Sequence, residues 1–300
     1  MKKSTRNSFL LLLTAVIWGF AFVAQSTGGE AIGAFSFNCI RSFIGALVLL
    51  PVIVLLDSLG LSKKPETKDE KKTLIIAGIA CGCALCVASN LQQLGINLGT
   101  GAGKAGFLTA TYILIVPILG IFLKRTCGVK VWIGVIISLI GLYLLCIDGE
   151  LRLKPEDGLV LLCALVFSIQ ILLVDYYGPK VDGVRLSCIQ FLTVGILSLF
   201  PMLIKEMGFS SASLSVWAIR FTNPSVWIAL LYAGIMSCGV AYTLQIIGQQ
   251  EVNPTVASLL MSLESVFSVI GGWMLLDEHL SAQQMGGCIL IFLAVVLAQL

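Results

Sequence analysis

Charge and histidine are what this sequence has least of. Only 12% of its 300 residues are Asp, Glu, Lys or Arg, while 58% are hydrophobic and the mean hydropathy is +1.00. So little charge excludes a water-exposed globular domain and implies an integral membrane protein. The single histidine, His279, follows Asp277 and Glu278 in a loop, which leaves no Ser-His dyad inside the apolar stretches. Paired aspartates in an apolar run and a Walker-type phosphate loop are also missing, so neither intramembrane acid catalysis nor ATP drive is expected. The chain reads as a non-enzyme that needs no cofactor or resident metal and has no nucleic-acid partner.

Ten cysteines are present, but none is spaced to staple an extracellular domain, and free thiols are expected. Cys81, Cys83 and Cys86 form a C-x-C-x-x-C cluster that could hold a metal. It lies among Gly and Ala with no His or acidic side chain nearby, which favours close helix packing instead.

What the sequence has in abundance is apolar stretches of about 17 to 25 residues, the length a helix needs to cross roughly 30 Å of hydrocarbon. Ten are legible: Ser8 to Gln25, Gly33 to Leu56, Thr73 to Asn97, Ala102 to Leu123, Val131 to Ile147, Gly158 to Tyr176, Leu186 to Ile204, Ser225 to Ile247, Val252 to Leu276 and Met285 to Leu300. The first follows Lys2, Lys3 and Arg6 as a signal peptide would, yet nine more spans follow it, so it is read as an uncleaved helix. With the N-terminus in the cytoplasm, Lys2, Lys3, Arg6, Lys63, Lys64, Lys68, Lys71, Lys72, Lys124, Arg125, Lys130, Lys180 and Arg185 fall inside. Arg152, Lys154, Lys205 and Arg220 fall outside, and Arg41 and Lys104 lie within spans. That positive-inside bias places both termini of a multi-pass protein in the cytoplasm. Ser210 to Thr222, with Leu214, Trp217 and Phe221 at helical spacing, reads as a short helix on the outer membrane surface.

The chain also repeats itself. Leu91-Gln92-Gln93-Leu94-Gly95 resembles Leu244-Gln245-Ile246-Ile247-Gly248, and the same offset of 153 residues sets Gly134 against Gly287. Upstream the register slips slightly, with Cys39-Ile40-Arg41 against Cys188-Ile189-Gln190 and Pro51 against Pro201. Residues 1–150 and 151–300 therefore form two five-span units. Because five is odd, the second enters the membrane from the opposite side. The expected fold is an all-α integral membrane protein of ten transmembrane helices arranged as two inverted five-helix repeats, with a solute site near the midplane between them.

Two segments carry a family resemblance. The first span contains Trp18-Gly19 within Leu13 to Phe22, similar to an opening Trp-Gly motif. Span nine reads Ser262-Leu263-Glu264-Ser265-Val266-Phe267, then Gly271-Gly272 and Leu275-Leu276-Asp277-Glu278, similar to a Leu-Glu-Pro-Val segment ending in a Gly-Glu-like turn. Together with length, span count and repeat, these resemble the drug/metabolite transporter superfamily, in particular its ten-helix EamA-type members. Ser265 stands where the family has proline, and Pro117 of span four is displaced from its counterpart. The resemblance implies a plasma-membrane (inner-membrane) secondary transporter of small metabolites such as amino acids, with export as the expected direction.

Glu264 is the strongest candidate site residue. It lies about 18 Å along the helix axis from either end of its span, where a carboxylate costs on the order of 2.5–3.5 kcal/mol unless paired, hydrated or protonated. Its readings are proton coupling, binding of a substrate amine, or a structural hydrogen bond; without coupling the protein would be a facilitator or exchanger. Thr111 is its repeat counterpart. Arg41, some 12 Å inside span two, could clamp a carboxylate, pair with Glu264 or snorkel. Lys104 shares a helix face with Thr111 but lies close enough to the interface to snorkel. Asn90, Gln93 and Asn97 form a polar stripe on span three, and Gln92, Gln170, Gln190 and Gln245 add amides elsewhere. Of these, Asn90, Gln93 and Gln245 are read as cavity lining. Tyr112, Tyr242 and Trp18 are cavity walls or packing anchors. Besides the solute, the expected partners are protons and the bilayer, and a monomer is expected.

Overall fold

The computed structural model describes residues 3–100, 102–124, 127–146, 153–275 and 281–299. Lys2, Arg125, Ile147, Arg152, the Leu276 to His279 turn and Leu300 lie outside the described residues. Among the described residues there are helices and no strands.

Span one is α1 (Lys3–Ile32), span two α2 (Ala34–Ser58) and span three α3 (Lys68–Gly95), which continues into a π-helical turn over Ile96–Thr100. Span four is α4 (Ala102–Ala110) continued through a turn at Thr111 into α5 (Tyr112–Phe122), and span five is α6 (Val129–Cys146). The second half repeats this order with α7 (Pro155–Tyr177) and α8 (Gly183–Pro201). The surface helix α9 (Ser211–Ile219) follows, and then α10 (Pro224–Leu231), joined through π-helical Tyr232–Ala241 to α11 (Tyr242–Gly248). Span nine is α12 (Pro254–Met261) continued through a turn at Ser262 and Leu263 into α13 (Glu264–Leu275), and span ten is α14 (Ala282–Gln299). Nine of the described helical stretches are long and apolar enough to cross a membrane, and Val129–Leu145 is a shorter apolar helix.

The helix ends follow local chemistry. Thr67 and Glu70 close α3 with a capping box, the Glu70 amide donating to Thr67 Oγ1 at 3.2 Å and the Thr67 amide to Glu70 Oε2 at 3.2 Å. Asp182 caps α8 by accepting from the Arg185 amide at 2.9 Å. At the start of α2 the Glu206 carboxylate accepts from the amides of Phe35 and Ser36, at 2.9 and 2.6 Å. Gly33 makes the turn into that helix with φ 99°, and a Cβ there would lie 2.5 Å from the Glu206 carboxyl carbon, so glycine is required twice over.

Packing follows the sequence repeat. Spans two and seven, four and nine, and five and ten pack against their own counterparts. The remaining large interfaces come in matched pairs: three with seven and eight with two, three with six and eight with one, one with nine and six with four. This pairing is that of a pseudo-two-fold axis lying between the halves. The closest approach of α6 and α14 obeys it: Gly134 faces Ala294 while Gly287 faces Gly141, each residue 153 positions from its counterpart. A Cβ on Gly287 would lie 2.6 Å from the Gly141 carbonyl oxygen and 2.7 Å from the Leu145 amide nitrogen. Neither backbone atom can turn away. Gly287→Ala is therefore expected to cost about 1–3 kcal/mol and to lower the melting temperature in detergent, read by thermal-shift assay.

Apolar side chains such as Leu47, Val54 and Ile75 are exposed on the outside, while Asn38, Gln93, Gln170, Gln190 and Gln245 are buried within. That is the polarity a bilayer imposes. The surface helix α9 buries none of its side chains, and it is tied to α2 through Trp217, whose Nε1 donates to Ser36 Oγ at 2.9 Å.

Candidate functional site

Spans four and nine build the centre of the molecule. Both contain hydroxyl side chains bonded back onto the preceding turn: Thr111 Oγ1 to the Leu108 carbonyl at 2.6 Å, and Ser262 Oγ to the Leu259 carbonyl at 2.8 Å. The backbone stays right-handed helical through both turns, with the Thr111 amide donating to the Leu108 carbonyl and the Ser262 amide to the Ser258 carbonyl. Just beyond them Tyr112 Oη donates to Glu264 Oε1 at 3.0 Å.

Beside this bond lies a small, narrow cavity of about 40 Å³. Its walls come from both halves. Trp18, Arg41, Gln92, Thr109 and Tyr112 belong to the first, and Phe167, Gln170, Ser237, Tyr242, Gln245 and Glu264 to the second. Trp18 and Tyr242 pack with ring centroids 4.6 Å apart, and Phe191 braces Tyr242 from behind at 5.1 Å. The amides form a chain, with Gln245 Nε2 donating to Gln170 Oε1 at 3.2 Å and Gln170 Nε2 to Gln190 Oε1 at 3.3 Å.

Several polar atoms here have no partner among the described residues. Trp18 Nε1 is a buried donor without an acceptor, and Gln25 Oε1 and Gln245 Oε1 are buried acceptors without donors. Arg41 is only 6% exposed, yet it makes no ion pair with a described carboxylate; its guanidinium carbon sits 5.4 Å from the centre of the Phe37 ring. Glu264, 5% exposed, has Tyr112 rather than Arg41 as its partner. The cavity therefore has a carboxyl on one wall, a guanidinium with no ion pair among the described residues on another, and aromatic rings with open hydrogen-bonding atoms between them.

Six of the ten sequence candidates, Glu264, Arg41, Tyr112, Gln245, Trp18 and Tyr242, meet here. Four do not line this cavity. Lys104 forms an ion pair with Asp157 near the end of the bundle, and the Thr111 hydroxyl is turned onto its own helix. Asn90 donates to Ser198 Oγ at 2.8 Å and to the Cys86 carbonyl at 2.9 Å. Gln93 donates to the Gln25 carbonyl at 2.9 Å and to Asn97 Oδ1 at 3.0 Å. Phe22, Gln25, Phe167, Ser237 and Met261 line the cavity without having been singled out in the sequence. The repeat did contain one missed signal: Gln92 is the direct counterpart of Gln245, and Gln92, not its neighbour Gln93, faces the cavity. No group of three or more His, Cys, Asp or Glu is placed to hold a metal among the described residues, and Cys39, Cys81, Cys83, Cys86, Cys127, Cys163, Cys188, Cys238 and Cys288 are free thiols.

A helical membrane protein with paired halves and a polar cavity between them has the architecture of a secondary carrier. The EamA-like transporter family matches this chain twice, over residues 6–147 and 154–300, and the chain belongs to that family. It is 29% identical over 296 residues to an uncharacterized transporter of Archaeoglobus fulgidus, covering 97% of this chain and 84% of the relative. It is also 23% identical over 284 residues to the uncharacterized transporter YoaV of Bacillus subtilis, covering 94% and 92%. A solved structure titled only "Crystal structure of protein" superposes with a TM-score of 0.78 at 18% identity, covering 98% of both chains, and shares the fold.

Proposed function

We propose that this EamA-family transporter moves a small zwitterionic metabolite of the amino-acid type across the cell membrane by alternating access. Both termini lie in the cytoplasm, export is the physiological direction, and the working unit is a monomer. The observation that carries the reading is the cavity itself, where Arg41 is buried without a carboxylate partner among the described residues and Glu264 lies on another wall. A guanidinium in such a place is costly unless something anionic visits it, and a solute carboxylate is the simple candidate. The aromatic rings of Trp18 and Tyr242 suit the apolar part of the solute, and the open atoms of Trp18, Gln25 and Gln245 suit its polar groups.

Glu264 carries the coupling proton in this reading. Its carboxyl lies beside Tyr112 and next to the solute space, so taking up or releasing a proton there changes how well a solute amine is held. The test is uptake into proteoliposomes of a pooled panel of labelled amino acids, nucleosides, sugars and organic cations, with and without an inward proton gradient. Gradient-driven movement confined to zwitterions is expected. Exchange that ignores the gradient would make the protein a facilitator or exchanger and leave the Tyr112–Glu264 bond a structural one.

A further inference from the structure

A second opening faces the bilayer instead of the interior. α1 and α10 pack side by side, and between them lies a groove of about 340 Å³, against about 40 Å³ for the central cavity. One wall runs from Phe20 to Thr27 on α1 and the other from Ser225 on α10 to Tyr232 just beyond it, each seven residues or about 10 Å long. Small side chains make the hollow: Ala24 and Ala229 stand between the larger ones, and Gly28 brings the helices together, since a Cβ there would lie 3.1 Å from that of Ala229. Tyr232 closes the deep end by donating Oη to the Ile17 carbonyl at 3.0 Å, and Ile228, 70% exposed, marks the side open to lipid.

The mouth of this groove lies at the end of α1 remote from the N-terminus. There the turn Arg220–Thr222 touches both α1 and α10. The rings of Trp217, Phe221 and Trp227 stack beside it, with centroids 4.6 and 6.0 Å apart, and Trp227 Nε1 donates to the Phe221 carbonyl at 2.9 Å. Aromatic rings gathered at the end of a span mark the level of the lipid headgroups. Arg220 is exposed at that level, and so is Glu30, one turn along α1 from Thr27. Below them the walls are apolar in effect, because the Thr27 hydroxyl already donates to the Val23 carbonyl at 3.0 Å and that of Tyr232 to Ile17.

We propose that the groove between α1 and α10 binds one acyl chain of a phospholipid whose headgroup carries both a phosphate and a free amine, as in phosphatidylethanolamine. The chain fills an apolar slot that would otherwise be lined on one side by nothing, and the loss of those dispersion contacts is what its entry repairs. The phosphate meets the Arg220 guanidinium, and the amine meets the Glu30 carboxylate. A headgroup with phosphate but no amine, as in phosphatidylglycerol, would meet the same arginine but leave Glu30 without a complement. The site is independent of which solute the central cavity takes.

The test is native mass spectrometry of the full chain in detergent, mixed with equal amounts of palmitoyl-oleoyl phosphatidylethanolamine and phosphatidylglycerol. Wild type is expected to retain one lipid, with the ethanolamine form favoured by on the order of tenfold. Thr27→Phe and Ser225→Phe fill the groove from opposite walls, at exposed positions, and each should cut retention of both lipids about tenfold. Arg220→Gln should weaken both lipids, whereas Glu30→Gln should keep retention and lose the headgroup preference. Leu47→Phe, on the lipid-facing side of α2, should change nothing. Melting curves in lipid-free detergent that match wild type establish that the two groove variants are folded. Retention in both of them equal to that of Leu47→Phe would reduce the lipid to the ordinary annulus and overturn the site. Equal retention of the two headgroups by wild type would overturn it too, as would a dimer mass without lipid, which would assign the groove to a second copy of the chain.

Discussion

Glu264→Gln is expected to abolish accumulation driven by a proton gradient while leaving solute exchange in place. Gln has the same length, can still accept from Tyr112 Oη, and removes only the ability to exchange a proton. The variant should fold, since a neutral amide avoids the cost of a charge at this depth, on the order of 2.5–3.5 kcal/mol on insertion scales. In proteoliposomes the internal solute concentration should rise only to the external level, where wild type goes above it. Gradient-driven accumulation that survives in Glu264→Gln would remove the glutamate from the coupling role.

Arg41→Met should act on affinity instead. The guanidinium is buried at the cavity with no described carboxylate to balance it, so its loss relieves a buried charge in the empty carrier and removes a partner from the loaded one. A charge-assisted hydrogen bond contributes about 1.5–3 kcal/mol, equivalent to roughly ten- to a hundredfold in affinity. KM for an amino acid should rise by that factor. The decarboxylated amine of the same solute should be transported by both forms with similar KM, because it never used the guanidinium. A rise in KM shared by both compounds would mean that Arg41 shapes the cavity without binding a carboxylate.

The two substitutions also explain how far the sequence could be read. The fold was legible because lipid imposes long apolar runs and the repeat sets Gly134 against Gly287, the pair at the α6–α14 crossing. Glu264 was legible for the related reason that a carboxyl deep in an apolar run needs explaining. The partner of Arg41 was not legible, because depth along a span says nothing about rotation around it. Pairing with Glu264 was one open reading, and the structure gives Glu264 to Tyr112 instead. Lys104 illustrates the same limit: its partner Asp157 is 53 residues away, on a span that composition alone cannot place beside α4.

The most direct measurement of the central claim is counterflow: vesicles holding the purified chain are loaded with an unlabelled amino acid, and the transient uptake of labelled solute is followed. Alternating access through the cavity between the halves predicts an overshoot that needs the internal solute and collapses for carboxylate solutes in Arg41→Met. Uptake with no overshoot, equally fast into empty and loaded vesicles, would contradict it and describe an open pore.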